Sequence, residues 1–172
     1  MNIEKSVVTK LLITGIQDLD PVHVFIDDMN ANRGRVTITC FDGSWSYFWG
    51  SIGNKTIAQF FCACSNDYLA RKFSTGIDST VVDVAAIEKH ARAYVCERRK
   101  DRDIEKDEAR DLFNEIDDNN FDNPNSEHEL LYKIYGDEWW CGLPQKVNPD
   151  YEYLCRIIGV VKQALAQEMV AA

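Results

Sequence analysis

The sequence contains no long run of hydrophobic residues. Its longest apolar stretches, residues 60–64 and 157–161, are far shorter than the roughly 20 residues that a membrane-spanning helix needs. Residues 1–5 do not form a basic segment that leads into an apolar one, as a secretory signal peptide would. We therefore expect a cytoplasmic protein.

Motifs that mark common enzyme sites are also missing. The sequence has no G-x-S-x-G, no P-loop, no G-x-G-x-x-G and no H-E-x-x-H. Its three histidines, His23, His90 and His128, share no local spacing with a serine or cysteine nucleophile, so no catalytic triad can be identified. These absences favour a binding protein over an enzyme and predict no cofactor. The alternative is a metal-dependent enzyme or metal-binding protein whose site combines dispersed carboxylates, histidines and cysteines.

The cysteines show neither a disulfide pattern nor a zinc pattern. Most of the six lie in apolar runs, as Cys62 and Cys155 do, which is typical of reduced thiols inside a core. The close pair Cys62 and Cys64 is a C-x-C, whereas common zinc sites use C-x-x-C or spaced cysteine and histidine. We expect buried free thiols.

Basic residues are outnumbered by acidic ones, since the chain of 172 residues has 19 basic and 28 acidic residues and a net charge of −9. Up to residue 74 the signs balance at 7 each, whereas residues 75–172 contain 12 basic and 21 acidic residues. Because such a surface repels polyanions, we expect no direct nucleic-acid binding, and a protein partner instead. The length fits one domain over residues 1–172.

The chain does contain a clear division into a β part and an α part. Residues 1–54 are rich in β-branched residues, with four candidate strands at residues 7–16, 22–28, 35–40 and 44–49. Residues 55–172 are acidic and repeat apolar residues at helical spacing, which predicts about five helices. Strands followed by helices indicate an α+β fold with an N-terminal four-stranded antiparallel sheet packed against the helices.

Polar residues at the starts of the helical segments predict caps. Thr56 precedes the apolar stripe of the first helix, and Ser126, followed three residues later by Glu129, forms a capping-box pattern. The predicted helices cover residues 57–64 with a continuation over 68–73, then 82–99, 105–116, 126–135 and 150–170.

Two aromatic groups are candidates for partner binding. Trp45, Tyr47 and Trp49 lie on one short strand, where they form an exposed platform if the helices do not cover them. Trp139 and Trp140 lie on a loop between two helices, where we expect one indole to point inward and the other to be partly exposed. Core packing is the alternative function for both groups.

The third candidate surface is acidic. Residues 103–138 contain 13 acidic residues against 3 basic ones. Carboxylates on a helix can imitate DNA phosphates and occupy the basic groove of a nucleic-acid-binding protein. This DNA-mimic hypothesis rests on four carboxylates, and simple solubility is its alternative. The four are Glu105, Glu108, Asp111 and Glu115.

A possible metal site lies in the polar loop that follows. Its four candidate ligands fall at relative positions 1, 3, 5 and 12 of an EF-hand calcium loop. They are Asp118, Asn120, Asp122 and Glu129. The match is partial, because position 6 is Asn123 instead of glycine and position 7 is Pro124. Coincidence in a loop rich in Asp and Asn is the alternative.

Several blocks of the sequence, taken together, resemble a known group of proteins. They include Ser44-Trp45-Ser46, Thr56-Ile57-Ala58, Tyr68-Leu69-Ala70, Glu138-Trp139-Trp140 and residues 148–158. Over much of its length the chain resembles a group of small uncharacterised proteins carried by phages and prophages of Gram-negative bacteria. The resemblance implies a phage accessory protein that acts in a host bacterium by binding host machinery, such as a restriction or CRISPR system. It implies no activity and no site residue.

Overall fold

The computed structural model describes residues 1–3, 5–30 and 32–171. The chain forms two compact units, one from Met1–Ser79 together with Asn148–Ala172 and the other from Thr80–Val147. The sequence favours a single domain, and this stays a prediction, because compactness does not test whether the two units unfold together.

The first unit contains four strands and three helices. Its strands are β1 (Thr9–Ile13), β2 (Val22–Asn30), β3 (Arg33–Cys40) and β4 (Gly43–Trp49). Its helices are α1 (Ile57–Ala63), α2 (Asn66–Phe73) and, after the second unit, α6 (Pro149–Ala171). The strands form an antiparallel sheet in the order β1-β2-β3-β4, so the predicted α+β class and the four-stranded sheet are confirmed.

Alternation along the strands builds the core of the first unit. Because successive side chains point to opposite faces of a strand, β2 buries Val22, Val24 and Ile26 on one face, and β3 buries Val36 and Ile38 on the same face. Helices α1, α2 and α6 supply the apolar residues that pack against this face. Phe61, Leu69, Leu154 and Ile158 are among them.

Polar caps position α1 and α2 at the sheet. The predicted cap Thr56 is confirmed, because its side chain accepts a 3.2 Å hydrogen bond from the Gln59 amide while Gln59 accepts one from the Thr56 amide. Asp28 on β2 accepts a 2.8 Å hydrogen bond from the Ile57 amide, which holds the start of α1 against the sheet. The Ser65 side chain caps α2, because it accepts a 3.2 Å hydrogen bond from the Tyr68 amide.

The second unit contains three helices and a two-stranded sheet. The helices are α3 (Ile87–Asp101), α4 (Lys106–Asp118) and α5 (His128–Tyr135), and the strands are β5 (Thr80–Val82) and β6 (Gln145–Val147). Val84–Ala86 and Trp139–Cys141 form short 3-10 turns. Strands β5 and β6 pair antiparallel near the two ends of the unit, and neither strand was predicted. The unit has its own core, which contains Ile87, Val95, Ile116, Leu131 and Ile134.

The predicted capping box at Ser126 is wrong. Helix α5 begins at His128, its N-cap residue is Glu127, and no side chain caps it. The amides of Ser126 and Glu127 instead donate to the carbonyls of Asn123 and Pro124 in a preceding turn. The turn that follows Pro124 therefore delays the helix by two residues.

All six cysteines are free, but they are less uniformly buried than the sequence suggests. Cys40 is buried and Cys96 and Cys141 are exposed. Burial raises the pKa of the Cys62 and Cys155 thiols, which keeps both protonated at neutral pH. Within the described ranges, no helix is long and apolar enough to cross a membrane.

Candidate binding surfaces

Helix α4 presents carboxylates to solvent. Ala109, Leu112 and Ile116 are buried at helical spacing and turn the other side of α4 outward. Glu105, which is the N-cap residue of α4, and Glu108 and Asp111 in its first two turns are exposed, as the acidic-surface hypothesis requires. The fourth residue of that hypothesis, Glu115, is half-buried.

Ion pairs neutralise part of this acidic surface. Lys133 on α5 donates to both carboxylate oxygens of Glu115, at 2.9 and 2.7 Å. Arg92 on α3 pairs with Asp117. Among the described residues, Glu105, Glu108 and Asp111 form no ion pair, so we call these three residues the acidic triplet.

Three aromatic residues of β4, Trp45, Tyr47 and Trp49, lie on the face of the sheet that packs against the helices. Trp49 is 4% exposed, and its ring makes edge contacts with Phe60, Phe61 and Phe73 at centroid distances of 5.8 to 6.3 Å. Its indole N–H donates to the Tyr68 hydroxyl. Trp49 therefore belongs to the core and has little surface left for a partner.

The other two rings of β4 are half-buried. Tyr47 lies beside Trp49, and Lys72 places its ammonium 5.3 Å from the Tyr47 ring. Trp45, nearer to the start of the strand, borders a cleft. On the opposite face of β4 the exposed aromatic side chain is Phe48, which is 42% exposed.

The tryptophan pair divides between core and surface. Trp139 is half-buried and packs against the core of the second unit, whereas Trp140 is 55% exposed. Their rings meet edge to face with centroids 5.9 Å apart. The predicted arrangement, with one indole inward and the other exposed, is confirmed. Of the two rings, Trp140 is the one with a large surface open to a partner.

The four candidate calcium ligands do not converge. Asp118 ends α4, Glu129 lies in α5, and Asn120 donates a 2.9 Å hydrogen bond to Asp122 within the loop between them. Asn120 also accepts from the Asp122 amide, so the loop is an Asx turn. Nowhere in residues 1–3, 5–30 and 32–171 do three or more histidine, cysteine or carboxylate side chains gather as metal ligands would.

Sequence reasoning missed a cleft in the first unit, which has a volume of about 380 Å³. The β1–β2 loop, the β3–β4 hairpin, the segment after α2 and the first turns of α6 surround it. Its lining is Asp20, Cys40, Phe41, Asp42, Gly43, Trp45, Ile77, Asp150 and Tyr153. The cleft thus combines three carboxylates with three aromatic rings.

Hydrogen bonds hold the walls of the cleft together. Arg156 on α6 donates to the Gln17 carbonyl in the β1–β2 loop. The Cys40 thiol, at the end of β3, donates to the Asp20 carbonyl at 3.6 Å and lies 3.4 Å from the Tyr153 hydroxyl. Loop, hairpin and helix are therefore fixed to one another before any ligand binds.

Tyr153 stays uncharged in the cleft. Its hydrogen bond with Cys40, its burial and the nearby negative charges raise the pKa of Tyr153 to about 12. The carboxylates that line the cleft are Asp20, Asp42 and Asp150. No spacing in the sequence marks these three residues as a site, because an aspartate in a turn or in the first turn of a helix is usually structural.

Comparison with known proteins gives a family. The model of a phage family, Phage_phiTE_072, matches residues 1–167. No curated protein and no solved structure matches the chain. The match covers nearly the whole sequence and agrees with the resemblance to phage and prophage proteins, so the chain belongs to this phage family.

Proposed function

We propose that the protein is a non-enzymatic phage accessory protein that binds a host protein through the acidic triplet on α4. The observation that carries this proposal is the exposure of Glu105, Glu108 and Asp111 at the N-cap and in the first two turns of α4, with no ion pair to the described residues. A basic surface, such as the nucleic-acid groove of a host defence enzyme, is the complementary partner.

The spacing of the acidic triplet supports a DNA-like surface. Its members are three residues apart, which corresponds to a rise of about 4.5 Å along the helix for each step. One strand of DNA carries a charge about every 3.4 Å. The axial spacing of the triplet is therefore of the same order as the charge spacing along one nucleic-acid strand.

The net charge of the whole second unit also favours a basic partner. Thr80–Val147 contains 17 acidic and 10 basic residues. Two of the basic residues, Arg98 and Arg99, donate to backbone carbonyls, and Lys133 neutralises Glu115. An excess of negative charge attracts a basic protein and speeds their encounter at low ionic strength.

The experiment compares the wild type with the variant Glu105→Lys/Glu108→Lys/Asp111→Lys. Both are immobilised and exposed to a nuclease-treated host extract, and a retained host protein is then purified and its affinity measured. We expect the reversal to weaken binding at least about tenfold, because each lysine replaces attraction with repulsion. Duplex DNA should compete with the wild type for the same host protein.

The control reverses three exposed carboxylates elsewhere in the second unit, Glu97, Asp101 and Asp137, and so changes the net charge equally. This control should keep most of the affinity. If the triplet variant and the wild type bind the host protein equally well, or if both reversals weaken binding to the same extent, α4 is not the binding surface.

A further inference from the structure

The cleft of the first unit has the composition of a cation site. None of its nine lining residues is lysine, arginine or histidine, whereas three are aspartates. All three aspartates are exposed, so a ligand that enters can reach their carboxylates. Apolar walls beside the carboxylates reduce screening by water and focus the negative field into the cleft.

The arrangement of the carboxylates does not suit a metal ion. Asp20, Asp42 and Asp150 come from three separate elements, and in the described part of the chain no three carboxylate, histidine or cysteine side chains gather as a ligand set. Separated carboxylates suit a larger cation whose N–H donors point in several directions.

The aromatic walls point to a planar or alkylated cation. A cation is attracted to the face of an aromatic ring, most strongly to tryptophan, and Trp45 lies in the wall beside the carboxylates. Tyr153 adds a ring whose hydroxyl is already hydrogen-bonded to Cys40. An inorganic cation gains little from such walls, because it keeps its hydration shell.

The backbone of the β3–β4 hairpin positions two of these rings. Phe41 is the first of two hairpin residues and has a φ of 51°, which glycine usually adopts in a type II′ turn, yet its ring is 82% exposed. Gly43 lacks a side chain where a Cβ would lie 2.4 Å from the Trp45 indole. The indole therefore lies directly on the hairpin backbone and stays in the cleft wall.

The size of the cleft limits the ligand. A volume of about 380 Å³ is near the lower end of the range for small-molecule pockets. It accommodates one long side chain or a small amine, and it is too small for a helix or a strand.

We infer that this cleft binds a guanidinium group, with the cation plane against Trp45 and the N–H donors bonded to Asp42 and Asp150. Guanidinium combines a flat face that stacks on aromatic rings with five N–H donors that match carboxylates. The group belongs either to an arginine side chain of a partner or to a free guanidino compound. This site is in the first unit and does not depend on the acidic triplet of α4.

The test is a nuclear magnetic resonance titration of the full chain, in which the indole N–H of Trp45 reports on the cleft. The probes are N-acetylarginine methylamide, its lysine counterpart, spermidine, magnesium chloride and N-acetylagmatine, which like the arginine amide carries a single charge. We expect saturable shifts with the arginine probe, and at least about fivefold weaker binding of the lysine probe, because an ammonium cannot stack or bond in a plane. Tighter binding of N-acetylagmatine indicates a free compound, and tighter binding of the arginine amide indicates a partner side chain.

Variants assign the effect to the cleft. Asp42→Asn/Asp150→Asn should weaken arginine-probe binding about tenfold, since two charge-assisted hydrogen bonds become neutral. Asp18→Asn/Glu168→Gln is the matched control, because it also removes two charges, both residues are exposed and lie outside the cleft, and asparagine tolerates the φ of 51° at position 18. Gly43→Ala, which displaces the indole and keeps all charges, should also weaken binding.

Three results overturn the inference. One is the absence of saturable shifts with both guanidino probes. Another is equal or tighter binding of magnesium, spermidine or the lysine probe, which would make the cleft a general cation surface. The third is an equal loss of binding in Asp18→Asn/Glu168→Gln and in Asp42→Asn/Asp150→Asn, which would show that only net charge matters.

Discussion

The Tyr151 hydroxyl donates a 2.7 Å hydrogen bond to Oδ1 of Asp67 and so joins α6 to α2. The same carboxylate pairs with Arg71 one turn further along α2. These two hydrogen bonds hold the pKa of Asp67 below its usual value, and burial together with Asp67 raises the pKa of Tyr151 to about 12. The pair therefore favours a charged aspartate and a neutral tyrosine in the folded state.

The raised tyrosine pKa values predict a loss of stability in alkali. Tyr135, Tyr151 and Tyr153 each have a pKa of about 12 in the folded state, against an ordinary value of 10. Their contribution to the free energy of unfolding is complete below pH 10 and is lost as the pH rises to about 12. The reason is that the tyrosines of the unfolded chain lose their protons at a lower pH than those of the folded protein. Urea denaturation at a series of pH values, with tyrosinate absorbance on the folded protein, measures both effects.

The variant Tyr151→Phe should reduce this alkaline dependence and lower the free energy of unfolding at neutral pH by about 1 kcal/mol, since it removes a hydrogen bond to a partly exposed carboxylate. Tyr132→Phe is the control, because Tyr132 is 53% exposed. Identical pH profiles for Tyr151→Phe and the wild type would contradict the assignment.

Arg98 connects α3 to the end of α5. Its guanidinium donates to the carbonyls of Lys133 and Ile134, at 2.8 and 3.0 Å, in the last turn of α5. Arg98→Ala should lower the free energy of unfolding by about 1–3 kcal/mol, because two carbonyls lose their donor. Arg98→Lys should recover only part of this, since an ammonium lacks the planar fork.

Chemical denaturation followed by tryptophan fluorescence suits this measurement, because Trp139 packs in the same unit. The control is Lys100→Ala, which removes an exposed basic residue from the same helix. Equal stability of Arg98→Ala and Lys100→Ala would show that the basic cluster of α3 contributes only charge.

The sheet and most helices could be predicted from local patterns. The alternation of Val22, Val24 and Ile26 and the cap at Thr56 are signals that a few neighbouring residues carry. Strands β5 and β6 have three residues each, which is too short for alternation to show, and their pairing joins residues more than sixty positions apart in the chain. Sequence pattern alone cannot detect such a pair.

The cleft could not be predicted for a related reason. Asp20, Asp42 and Asp150 are distant in the chain, and each resembles an ordinary turn or helix-start residue. The alternation that places Trp45, Tyr47 and Trp49 on one face was present in the sequence, but the face that the helices cover depends on long-range packing. Local patterns predict the helices and strands, whereas long-range packing determines which side chains come together.

The two units have separate cores, which predicts local effects of core variants. Leu131 is fully buried in the second unit and Leu154 is fully buried in the first. Leu131→Ala should cost about 2–5 kcal/mol and reduce hydrogen-exchange protection in α3, α4 and α5, while β1–β4 keep theirs. Leu154→Ala should have the converse effect. Equal loss of protection in both units after either change would support a single cooperative domain, as the sequence suggests.

Gly34 on β3 lies where the start of α1 packs closely against the sheet. A Cβ at this position would lie 2.8 Å from the Cβ of Ile57 and 3.0 Å from the Asp27 carbonyl oxygen, and neither atom belongs to the flexible end of a side chain. Gly34→Ala should therefore lower the free energy of unfolding by about 1–3 kcal/mol, because α1 must move away from the sheet.

The matched control for this change is Gly50→Ala, just after β4. A Cβ there would meet Phe48 at 3.6 Å, an ordinary van der Waals distance, so this variant should unfold at nearly the wild-type temperature. Thermal unfolding of both variants distinguishes crowding from the general effect of replacing a glycine, which by itself restricts the unfolded chain and tends to stabilise. If Gly34→Ala melts at or above the temperature of Gly50→Ala, the packing of α1 against β3 is looser than these distances require.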